Sequence, residues 1–73
     1  MTQEIKLLDM VALLQDMPEH GLVRGQVGTV VEELAQGVCE VEFCNSKGAT
    51  YALATVQAHQ LIRLLFQPVE TKP

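Results

Sequence analysis

The residues able to do chemistry in this chain are two thiols, two imidazoles and a pair of carboxylates: Cys39, Cys44, His20, His59, Glu40 and Glu42. A reactive thiol needs an electropositive, partly exposed setting. Cys39 instead alternates with Val41 and Phe43 and is flanked by Glu40, which makes it a small core hydrophobe. Cys44 falls at the end of the same run, exposed and with no resolving thiol beside it. Extended chain would hold the two Cα atoms ~16 Å apart, beyond the ~7 Å a disulfide tolerates. The thiols are therefore expected to be reduced, which points to the cytoplasm. Neither the cysteines nor the histidines have the short spacings of structural zinc, and on one strand Cys39 and Cys44 would face opposite ways.

Glu40 and Glu42 share one strand face about 6.6 Å apart. Paired carboxylates divide acid and base roles in glycosidases, but that chemistry needs a cleft around a sugar, which 73 residues are too few to build. The alternatives are a solvated face or an acidic docking face, since Glu32 and Glu33 lie on the neighbouring run. Like charges gathered this way cost stability unless cations answer them, and Arg24, Lys47 and Arg63 are the candidates.

Short β-runs punctuated by glycine-bearing turns position these groups. Strands are expected at residues 9–14, 26–34, 38–43, 50–55 and 61–66. The second run has mixed parity, which a bulge at Gly28 would repair. The fourth puts Tyr51 and Leu53 on one side. Residues 15–21 read as a loop, 56–60 as a single 3₁₀ turn and 67–73 as a flexible tail. Residues 3–14 also fit an amphipathic helix, and the segment before residue 9 is ambiguous. The order of strand, long loop, three strands joined by tight turns, 3₁₀ turn and last strand is the layout of an all-β, five-stranded SH3-like barrel, one domain over residues 1–66.

Composition excludes several functions. The formal net charge is −4, from five Lys and Arg against nine Asp and Glu, so nucleic acid is not an expected partner. No apolar run approaches the ~20 residues of a membrane span, and residues 7–14, cut by Asp9, make no convincing signal peptide. Phe43, Tyr51 and Phe66 are the only aromatics, too few for a proline-peptide groove.

The stretch Pro18 to Glu32, with Gly37 to Phe43, Thr50 to Leu53 and Ala58 to Leu61, resembles a family of short bacterial proteins registered only as a domain of unknown function. The similarity covers about residues 5 to 65. Its pattern has an aromatic where Cys39 stands and an acid where His59 stands, so it carries no functional role to either. The resemblance implies an SH3-like barrel and a partner protein encoded by a neighbouring gene. Gly25 to Val31 is more weakly similar to the opening of KOW-type barrels, which implies nucleic-acid association as an alternative function.

The last strand is the anomaly. Only Arg63 is polar between Leu61 and Phe66, and a small barrel has one inside. One apolar row must be covered, either by residues 5–8 folding across it or by another chain. In the loop, one of Leu22 and Val23 should close the barrel end and the other be exposed. The expected function is a non-enzymatic, cofactor-free protein-interaction module or small accessory subunit, in a homo-oligomer or a hetero-complex; one form is an immunity or antitoxin-like partner of a neighbouring-gene product. The candidate interface residues are Leu22, Arg24, Glu40, Glu42, Ile62, Leu64 and Phe66.

Overall fold

The computed structural model describes residues 4–66; the tail expected at 67–73 and the first three residues lie outside them. Five antiparallel strands form one sheet: β1 (Met10–Leu13), β2 (Val27–Ala35), β3 (Val38–Cys44), β4 (Thr50–Gln57) and β5 (Leu61–Arg63). Their spatial order is β4-β3-β2-β1-β5, the SH3-like barrel arrangement read from the sequence. One 3₁₀ turn, Ala58–Gln60, precedes β5 as expected. A second, Pro18–His20, lies within the segment read as a plain loop. Pro18 opens it, where its missing N–H costs nothing, and Gly21 closes it in the left-handed conformation.

The inner face follows from alternation. Cys39, Val41 and Phe43 of β3 are buried while Glu40 and Glu42 are not. Val11, Leu13, Val30, Val56 and Leu61 complete the core. Each large side chain withdrawn from water contributes about 1.5–3 kcal/mol. Among the described residues the chain before β1 is not helical. Ile5 enters the core, and a turn at Lys6–Asp9 leads into the strand, the Asp9 carboxylate accepting the Lys6 N–H at 2.7 Å.

Two expectations are corrected. Gly28 is not a bulge: it pairs in regular register with Val11 and Phe43, and the shifts in β2 fall between Val30 and Glu32 and between Glu33 and Ala35. β5 ends at Arg63 rather than Phe66, because the Leu64 N–H reaches the Met10 carbonyl and β1 begins there, leaving nothing to pair with. Tyr51 and Leu53 are both exposed on β4, and the Tyr51 ring stands 6.4 Å from that of Phe43, beside the register irregularity at Cys44. Of the two covers left open for the last strand, the segment 5–8 sends Ile5 into the core and leaves Leu7 and Leu8 exposed, and Ile62 of β5 is itself 45% exposed.

Candidate interaction surface

The outer face of β1 is flanked by apolar side chains from both neighbours. Ala12 pairs with Val27 of β2 and with Ile62 of β5, so the three form a row across the sheet. Directly paired Cβ atoms on such a face stand about 4.5–5.5 Å apart. Ala12 is small and shielded, whereas Val27 is 40% and Ile62 45% exposed. Leu14, 43% exposed, extends β1 at one end of the row, its N–H donated to the Gln60 carbonyl. At the other end Leu64, half-buried, is tied by its N–H to the Met10 carbonyl at 2.9 Å. Leu65 and Phe66 follow, exposed.

Of the sequence candidates, Ile62 therefore lies on this apolar surface at its β5 edge and Leu64 follows it past the end of the strand, while Phe66 is exposed beyond β5. Leu22 does not belong to it. It is buried at 1% exposure and closes the barrel end through paired backbone bonds with Met17, and Val23 is the residue left in solvent. Arg24 is exposed in the loop before β2, its N–H donated to Asp16 Oδ1 at 2.9 Å. Leu14 and Val27 were not singled out by the sequence. Only the pairing of Ala12 with both neighbours places them beside Ile62.

Glu40 and Glu42 form a separate acidic strip on the outer face of β3. Each accepts a hydroxyl from β4, Glu40 from Thr55 at 2.8 Å and Glu42 from Thr50 at 2.9 Å. Glu32 of β2 stands directly opposite Glu40. Among the described residues, neither Arg24 nor Lys47 forms an ion pair with them, so hydroxyls rather than those cations answer the carboxylates.

The thiols are both free, Cys39 buried and Cys44 half-buried near the Thr50 hydroxyl. Burial pushes the Cys39 thiol above its ordinary pKa, and the negative charges of Glu33 and Asp9 push the same way. This is the reverse of what activates a nucleophile. Among the described residues no group of three or more His, Cys, Asp and Glu side chains could hold a metal ion, and no helix is long and apolar enough to cross a membrane.

The family model described as Domain of unknown function (DUF4926) matches residues 7–63. The chain belongs to that family. The match agrees with the similarity read over about residues 5 to 65 and spans the whole described sheet, from the turn before β1 to the last residue of β5. No curated protein and no solved structure matches the chain.

Proposed function

We propose that this DUF4926 protein is a non-enzymatic interaction module or small accessory subunit, which binds another protein chain through the outer face of β1, β2 and β5. The observation that carries the reading is the Val27–Ala12–Ile62 row, continued by Leu14. Three large side chains stand 40–45% exposed around a shielded alanine, a flat apolar pad on a rigid sheet. Interface centres are built this way, apolar in the middle with polar groups at the rim. Thr29 and the Glu42 strip supply that rim, and the acids favour a partner with basic residues there. The family resemblance favours the product of a neighbouring gene as that partner, an immunity or antitoxin-like pair being one form of it. Two free thiols accord with a reducing compartment such as the cytoplasm.

Val27→Asp is the test variant. Val27 already faces water, so the barrel should melt as the wild type does while capture of the partner is lost. Sub-micromolar, salt-sensitive binding to duplex DNA or structured RNA would instead favour the KOW-like reading, which a net charge of −4 opposes.

A further inference from the structure

The two edges of the sheet are unlike. β5 is three residues long and carries Arg63, the kind of short, charged edge that resists pairing with other chains. β4 runs eight residues, Thr50–Gln57, with no charged residue and no proline. Among the described residues its only strand partner is β3.

Hydrogen bonds at the end of β4 show which backbone groups point outward. The Ala58 N–H turns back to the Gly37 carbonyl at the start of β3, at 2.8 Å. The preceding N–H, of Gln57, points the other way and is taken by Gln60 Oε1 at 2.9 Å. Successive N–H groups of a strand alternate between its two edges. Thr55 and Leu53 therefore share the Gln57 direction and present N–H and C=O away from β3. Gln60 caps the first outward donor, and the Leu53 and Thr55 N–H groups follow it along the edge that has no strand partner among the described residues.

We propose that β4 pairs antiparallel with β4 of a second copy of this chain, around a two-fold axis at Ala54. Leu53 of each copy then stands opposite Thr55 of the other, and each such pair exchanges both N–H···O bonds. The outward groups of Leu53 and Thr55 lie symmetrically about Ala54, so one register satisfies them in both copies while Gln57 keeps its cap from Gln60, as a self-complementary two-fold contact requires. A strand without charge places no like charges across the junction. Glu40 and Glu42 are held within their own sheet by Thr55 and Thr50. Three strand spacings, ~14 Å, separate them from their equivalents, which exceeds the ~8 Å screening length at physiological salt. A ladder this short buries little area, so the dimer dissociates at concentrations on the order of micromolar. The contact uses the edge of β4 and leaves the Val27–Ala12–Ile62 face open, so it stands or falls separately from the docking role of that face.

Sedimentation of the full chain over a series from micromolar to near-millimolar concentration tests this. The mass should rise from 8.0 kDa toward twice that value. Leu53→Lys, at a side chain that is 55% exposed and tolerates the change, should hold the protein at the monomer mass with an unchanged melt, while Ile62→Asp should still dimerise. In the wild type, exchange of the Leu53 and Thr55 amides should slow as concentration rises, a readout that needs no variant. A wild type that stays at 8.0 kDa throughout, or a dimer insensitive to Leu53→Lys, overturns the proposal.

Discussion

Gly28 stands directly opposite Phe43 across the β2–β3 ladder, and its lack of a side chain is what lets the core close there. A Cβ at residue 28 would lie 2.7 Å from Val41 Cγ1, 2.8 Å from the Glu42 carbonyl oxygen and 3.0 Å from Phe43 Cδ1. One of those atoms is backbone of the adjacent strand and cannot step aside without disturbing the sheet. Gly28→Ala is expected to destabilise the protein by about 1–3 kcal/mol, as overpacking of a close-packed core does. Chemical denaturation of the two proteins checks it.

Glu32 and Glu40 face each other on the outer side of β2 and β3. Like charges directly opposite are destabilising, and an opposite-charge pair contributes roughly 0.2–1 kcal/mol. Glu32→Lys should therefore raise the midpoint of denaturation, and added salt should shrink the gain. Equal stability of the two proteins at low salt would show that the register pair is electrostatically silent.

Cys39 and Cys44 should differ sharply toward a thiol probe at neutral pH. Cys39 is buried and its thiolate is disfavoured by burial, Glu33 and Asp9, whereas Cys44 is partly accessible. The same shift bears on stability. A thiol whose folded pKa is raised binds its proton more tightly in the native state. The associated stability is fully present below the unfolded thiol pKa of about 8.5 and declines as pH rises from there through the folded value. Cys39→Ser should change this alkaline slope, which a denaturation series on either side of that pH would reveal.

The fold was legible because its strands announce themselves locally. Cys39, Val41 and Phe43 alternate against Glu40 and Glu42, and Gly37 and Gly48 mark the hairpin turns with positive φ. What was not legible depended on pairing. The misfit of Val27 with Val30 looked like a bulge at Gly28, yet the extra residue sits three positions on, where β2 outruns its regular match to β3. Alternation placed Leu22 or Val23 at the barrel end without saying which, and the Met17–Leu22 bridge decides it. The apolar face was half visible. Ile62 and Leu64 stood out as surplus hydrophobes, but Leu14 and Val27 join them only through the register of three strands, which no single segment encodes.

The central claim is that the Val27–Ala12–Ile62 face docks another protein chain. Titration calorimetry between this protein and the product of its neighbouring gene tests it most directly, comparing the wild type with Ile62→Asp. The account predicts a stoichiometric complex with the wild type and at least tenfold weaker binding by Ile62→Asp, a loss of about 1.4 kcal/mol, with the variant still folded. Absence of a complex, or a complex of equal affinity with Ile62→Asp, would contradict it.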